Sequence, residues 1–296
     1  MEVDLNVTKI EMREGRRIIL FIVTPAFSFR SGAVAGMDRP RRLSQPRIAE
    51  MIADSLRRRI LEGELADGDV LPKVDDLLLE FPVSKPSIRE AMRILETEGL
   101  ISVRRGNVGG AVIHSPKAKT AAYMLGMVLQ ADHVALADLA QALSEFEPAC
   151  AVKAAESAER VTRLVPLLVA LNDELEAQLD DGPAFTLLAR RFHDAVVSGC
   201  GNQTMALVTG SLEQLWSTHE SNWAEATNAR GEYPKVAARE AVLRTHVRIT
   251  EAIEAGDGAR TGRLVARHLH ESQRYVLAGG GRRQLITVEG LSKAPW

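Results

Sequence analysis

The sequence predicts a mostly α-helical protein of two domains: an N-terminal winged helix-turn-helix with a small β-hairpin wing, then an all-α antiparallel helical bundle. Three observations predict it. Two helix-like stretches joined by about three residues sit between residues 74 and 99, as a helix-turn-helix requires. Two short apolar runs follow them and flank a basic, glycine-rich turn, which is the pattern of a hairpin. Beyond residue 118 every apolar stretch has helical spacing, and nothing up to residue 278 alternates as a strand would. A chain of 296 residues is long enough for two domains that each bury a core.

The elements can be justified in order. Residues 1–36 form a leader expected to be disordered or to lie ahead of a misassigned start. Arg16-Arg17, the apolar stretch Ile18 to Phe29 and Ala33-Val34-Ala35 imitate a secretory signal, but Pro25 and Arg30 interrupt it and Met37 stands just before a basic segment. Residues 37–114 then form the winged helix. Ile48, Ile52, Leu56 and Ile60 recur every four residues as the apolar face of a helix that Gly63 ends. Leu71-Pro72 leads into a short helix from Val74 to Phe81, which Pro82 stops. Ser84 is a good N-cap, Pro86 falls in the first turn, and Ile88, Ala91, Met92 and Leu95 make the apolar face of the next helix, ending at Gly99. The runs Leu100 to Val103 and Ala111 to Ile113 flank Arg104 to Gly110 as the wing. Ser115-Pro116-Lys117 marks the boundary to the bundle at 118–278, whose breaks are expected near Asp132, Ser157, Asp181 to Pro183, Gly199 to Asn202, Gly231 to Pro234 and Gly256 to Gly258. Residues 279–296 read as a flexible, glycine-rich basic tail.

Composition narrows the function classes. The net charge of −2 announces no nucleic-acid partner, and residues 38–113 hold 13 Lys+Arg against 13 Asp+Glu, so any DNA contact must come from local clustering at Lys85, Arg89, Arg93, Arg104 and Arg105. No charge-free run of 18 apolar residues occurs, so no membrane partner is expected. Cys150 and Cys200 lie in apolar helical patterns without metal or CxxC spacing, which suits buried thiols in a reducing, cytoplasmic compartment.

Gly63-Glu64-Leu65, Gly68-Asp69, Leu71-Pro72, Val83-Ser84, Ser87-Ile88-Arg89-Glu90-Ala91, Leu95 and Glu98-Gly99-Leu100 together resemble the winged helix of the GntR family. Phe192-His193 with Gly201-Asn202, His246 with Ala252-Ile253 and Gly256-Asp257, and His268-Leu269 are similar to the helical effector domain, of FCD type, of the FadR-like subfamily. The resemblance implies a cytoplasmic, homodimeric transcription regulator, a repressor or an activator, bound to a palindromic double-stranded operator and controlled by a metabolite in the bundle.

In such a reader the first turns of the second helix meet base edges and phosphates in the major groove. Here those residues are Ser84, Lys85, Ser87 and Arg89, with Lys85 and Arg89 at positions where the family places basic DNA contacts. Arg104, Arg105 and Gly106 match the wing segment that family members lay along the minor groove, where Arg is favoured. One departure stands out. Asp75 occupies a position where the family has a DNA-touching arginine; a carboxylate cannot bind phosphate but can accept from a cytosine amino group, so an altered operator is expected.

In metal-binding members of the subfamily, the histidines matching His193, His246 and His268 converge on a divalent ion such as zinc. The three lie on different predicted helices, spaced 53 and then 22 residues apart, and imidazole nitrogen suits such ions. The acid that completes that site is replaced by Ala189, so water or an effector carboxylate would fill the remaining positions; the alternative is that the histidines serve the core or touch the effector directly. The subfamily's arginine in the second bundle helix is replaced by Leu143, which argues for a more apolar effector, an organic acid or acyl compound. His219, His270, Trp216 and Trp223 read as packing or surface residues. A histidine-metal enzyme is the competing reading, but no HExxH, nucleophile elbow or phosphate loop supports it, and no catalytic residue is assigned.

Overall fold

The computed structural model describes residues 48–104 and 110–291. The expected leader at 1–36 lies outside them, as do Arg105 and Gly106 of the wing. Helix α1 runs Ile48–Leu61 and buries Ile52, Leu56 and Ile60, while Ile48, the first residue of the expected stripe, is 56% exposed. Gly63 then turns the chain at φ +80°, a left-handed conformation that a β-carbon would strain. Helices α2 (Val74–Glu80) and α3 (Lys85–Thr97) follow. Ser84 caps α3, its Oγ accepting from Ser87 N–H at 3.3 Å, and Pro86 sits in the first turn, where a missing N–H costs nothing.

Strands β1 (Ile101–Arg104) and β2 (Gly110–Ile113) pair antiparallel, with Ile101 opposite Ile113 and Arg104 opposite Gly110. Leu71 N–H donates to Ala111 O at 2.7 Å and Ile113 N–H to Asp69 O at 2.8 Å, so the segment after the Gly68 turn extends the hairpin by one bridge. Leu56, Leu77, Ile88, Leu95, Ile101 and Ile113 close one core beneath these elements. Each is worth about 1.5–3 kcal/mol relative to exposure, which fixes the presenting face of α3 by burying the opposite one.

The second half is helical throughout: α4 (Ala118–Ala131), α5 (Leu136–Glu156), a π-helical turn (Arg160–Leu164), α6 (Val165–Glu176), α7 (Gly182–Ser198), α8 (Gln203–Ala229), α9 (Val236–Glu254) and α10 (Gly258–Leu277). The breaks fall where the sequence signals place them. Asp181, Asn202 and Asp257 cap α7, α8 and α10, their side chains accepting from Ala184, Met205 and Arg260 N–H at 3.0, 3.0 and 2.8 Å. Helix α5 packs along α10, α7 along α8, and α6 against α7 and α9. One core gathers Leu168, Phe192, Val196, Ile249, Ile253 and Val265; another gathers Leu136, Leu143, Leu215, Trp216 and Val276. At Gly182 a β-carbon would lie 2.6 Å from the Tyr233 ring, so the start of α7 must be glycine for that ring to seat.

The segment after α10 departs from the flexible tail expected of it. A 3₁₀ turn (Ala278–Arg283) reverses the chain, Leu136 N–H donates to Gln284 O at 2.7 Å, and Ile286 N–H donates to Val134 O at 3.0 Å. Ile286 and Leu291 are buried beside Trp216. Apolar burial outweighs the local glycine content, and residues 284–291 become part of the bundle. Cys150 and Cys200 are free and buried, and burial pushes the Cys150 thiol up to about 11, which leaves it protonated and inert.

Candidate functional site

Two faces carry the residues singled out above. On the first, α3 buries Ile88, Ala91 and Leu95 and turns Ser84, Lys85 and Arg89 outward, with Ser87 half-buried. Ser84 serves as the helix cap, and its Oγ lies 2.9 Å from Ser87 Oγ. Lys85 Nζ lies 2.8 Å from Asp75 Oδ1, which brings α2 and the head of α3 together. Lys85, first of all by its hydrogen bond, holds the Asp75 carboxyl below the usual carboxylate range. Both side chains are well exposed, so the pair adds little to stability but does set where the lysine rests. Arg104 ends β1, in register with Gly110.

On the second face, His193 from α7, His246 from α9 and His268 from α10 meet in the bundle core, all at most 3% exposed. His268 Nε2 lies 3.2 Å from His193 Nε2 and 3.1 Å from His246 Nε2. Phe192 stacks on the His246 ring at 4.0 Å and 8°, and the His193 and His268 rings lie nearly parallel, so packing fixes all three planes. Burial, followed by the neighbouring histidines, pushes His246 well below its usual value; burial and His193 lower His268 to about 3. Both rings are therefore neutral, the form that binds metal.

Glu147 of α5 is fully buried and its Oε1 accepts from His193 Nδ1. Burial pushes this carboxyl up, but the charge and hydrogen bond of His193 and the charge of Arg190 hold it below the usual range. In the neutral form that binds metal, His193 keeps its proton on Nδ1 toward Glu147 and turns an Nε2 lone pair toward His268. A single hydrogen on His268 Nε2 can satisfy only one of the two short N···N contacts well, because a hydrogen bond is directional. A cation satisfies all three nitrogens at once, and two of their three separations, 3.2 and 3.1 Å, approach the roughly 3.3 Å edge of a tetrahedron with zinc–nitrogen distances of about 2.0–2.1 Å, the third lying within 4.8 Å. The residues present therefore fit a divalent ion, with Glu147 as the carboxylate that orients one ligand.

Next to the cluster lies a cavity of about 210 Å³, lined among others by Ala189, Arg190, His193, Trp223, Tyr233 and His268. Arg190 is 5% exposed, with its Nε 2.9 Å from Glu220 Oε2 on α8. Glu213 is buried too; burial, Glu147 and Asp194 raise its carboxyl well above the usual range. The sequence reading placed cation loss at Leu143, which is indeed core. The cavity takes its cations instead from α7 and α9, as Arg190 and Arg239.

A model of bacterial regulatory proteins of the gntR family matches residues 48–110, and one of the FCD domain matches residues 138–271. The chain carries a GntR-family DNA-binding domain followed by an FCD domain. It is 28% identical over 248 residues to the HTH-type transcriptional repressor NanR of Escherichia coli strain K12, covering 81% of this chain and 88% of that protein, and equally to NanR of Shigella flexneri. Among solved structures, Streptococcus agalactiae GntR superimposes with a TM-score of 0.56 at 24% identity, covering 76% of this chain and 99% of that one, a likeness of fold.

The structure thus joins the three predicted histidines, and joins Asp75 to Lys85. Sequence reasoning missed Glu147, Arg190, Arg239 and the wall formed by Trp223. One signal was available: Glu147 interrupts the otherwise apolar series Leu139, Leu143, Cys150 and Ala154 on α5, and Arg190 does the same between Phe185 and Val197 on α7. A charge on the buried stripe of a helix needs a partner.

Proposed function

We propose that this chain is a cytoplasmic, homodimeric, non-enzymatic regulator that binds a palindromic operator through α3 and the wing and is controlled by a small anionic metabolite held in the helical domain. The observation that carries the reading is the pairing, in one chain, of an exposed basic recognition helix with a buried three-histidine cluster that opens on a cavity. Ser84, Lys85, Ser87 and Arg89 would contact the major groove, Arg104, Arg105 and Gly106 the minor groove, and Asp75 a cytosine or Lys85 itself. His193, His246 and His268 would hold zinc or a similar ion, which when bound supplies a Lewis-acidic contact for an effector oxygen.

A metal hydrolase has less support. Glu147, which bonds the cluster directly, is committed to His193 Nδ1, the side away from the other two rings, and so orients a ligand rather than activating water. Among the described residues no helix is long and apolar enough to cross a membrane. The test is a gel shift on the DNA upstream of the gene, in rising salt, with intact and half palindromes. Tight binding of the full palindrome by a dimer, lost on adding a co-purifying metabolite, is expected. Equal affinity for a half-site or for unrelated DNA would overturn the reading.

A further inference from the structure

The cavity beside the histidines holds two arginines whose hydrogen-bonding capacity the protein does not use. Arg190 Nε and Nη1 are both buried without a hydrogen-bonded acceptor, although Glu220 Oε2 lies 2.9 Å from Nε as an ion pair. Arg239 Nε is likewise buried without an acceptor, and its guanidinium lies 5.5 Å over the Tyr233 ring. Buried donors of this kind are nearly always satisfied, and leaving a charged one unmade is costly. The two arise on different helices, α7 and α9, yet line the same space. An anion that enters this space can supply oxygens to both.

The walls narrow the class. The two carboxylates on the lining each lie against an arginine: Glu220 pairs with Arg190 by charge, and Glu271 accepts from Arg267 Nε at 2.9 Å. That leaves Arg239 to be neutralised by an incoming anion. Trp223 stands between Tyr233 at 5.5 Å and Tyr275 at 6.4 Å, a broad aromatic wall. Ala189 and Ala238 leave room opposite and add no polar group. Flat apolar surface on one side and a guanidinium fork on the other suit a ring that carries one carboxylate.

We propose that Arg190 and Arg239 anchor the effector, and that the effector is a cyclic or aromatic monocarboxylate whose carboxylate meets these arginines while its ring lies on Trp223, Tyr233 and Tyr275. The proposal rests on the reading of this cavity as the effector chamber. Glu220 is the positioning residue that holds Arg190 at the wall. Arg190 stands in α7 and so supplies from another helix the cation that Leu143 removes from α5.

Benzoate, its uncharged isostere benzamide, and acetate serve as probes for calorimetric binding to the full chain, with zinc content measured on the same samples. Benzoate binding well above benzamide and acetate is expected, with R190Q and R239Q each weakening it about ten- to a hundred-fold, the range for losing a charged hydrogen bond. Where R190Q alone lowers the melting temperature by stranding Glu220, the R190Q/E220Q pair removes both charges and must still lose benzoate. Equal binding of benzoate and benzamide, no binding of benzoate, or full affinity in the folded variants overturns the proposal. Arginine-dependent benzoate binding in a protein that holds no zinc would sink the metal reading and leave the anchors standing.

Discussion

Glu147→Gln isolates the contribution of one carboxylate to the histidine cluster, because the substitution keeps volume and a hydrogen-bond acceptor while removing the charge. Outer partners of metal-bound histidine typically account for ten- to a hundred-fold in metal affinity, or about 1.4–2.7 kcal/mol. At zinc concentrations that saturate the native protein, stabilisation by the ion falls by that amount in the variant. For a domain of this size each kcal/mol moves the melting temperature by about 2–4 °C, so the zinc-induced shift should shrink by roughly 3–10 °C. Metal-free protein should lose stability as well, because His193 and Arg190 hold the buried Glu147 carboxyl in its charged form and the substitution strands them, so the zinc-induced shift and not the absolute melting temperature carries the reading. The assay is zinc titration against a chromophoric chelator, with melting curves in chelator and in zinc. An affinity within twofold of the native protein, or an equal loss of stability with and without zinc, would refute the assignment of Glu147 as the orienting partner of His193.

Other expectations are simpler to read. Arg89→Ala should cost about 1–3 kcal/mol of operator affinity by fluorescence anisotropy if the contact is bidentate to a base; unchanged affinity would move the recognition surface elsewhere. Asp75→Asn releases Lys85 from its 2.8 Å pair, and the salt dependence of DNA binding should steepen by about 0.9 in logarithmic slope if the freed lysine takes a phosphate. Ala189→Asp places a carboxylate one helical turn before His193 and should tighten zinc; no change in affinity would show that the open side of the cluster faces away from residue 189. His219 is held below its usual value of 6.5 by burial, and its Nε2 accepts from Thr287 N–H at 3.3 Å. The unfolded chain therefore binds that proton first, so the contribution is complete above about pH 6.5 and is lost as pH falls below it. Residues 284–291 should become protease-sensitive at pH 5 and not at pH 7.5, and equal protection at both would rule the histidine out as the latch.

Much of the fold was legible because local signals and global packing agree. The four-residue stripe of α1, the Ser84 cap with Pro86, and the capping acids before α7 and α10 each state a boundary that the structure keeps. The histidines were legible through the family resemblance, whose matching positions converge on an ion; type and spacing by themselves left a core role open. What escaped depends on partners distant in sequence. Glu147 and His193 are 46 residues apart, and nothing local marks either as half of a pair. Ile286, Val288 and Leu291 follow no helical or strand period; the groove they fill exists only once α4, α5 and α8 have assembled.

That closing segment orders events in time. Residues 284–291 leave the ribosome after every helix of the bundle, so the helical half cannot complete the core beside Trp216 until they have emerged. Among the described residues the winged helix draws its core from residues 52–113, which emerge long before. A nascent chain would thus present a finished DNA reader while the half that governs it is still open, and any truncation near Leu277 would freeze the protein at that stage.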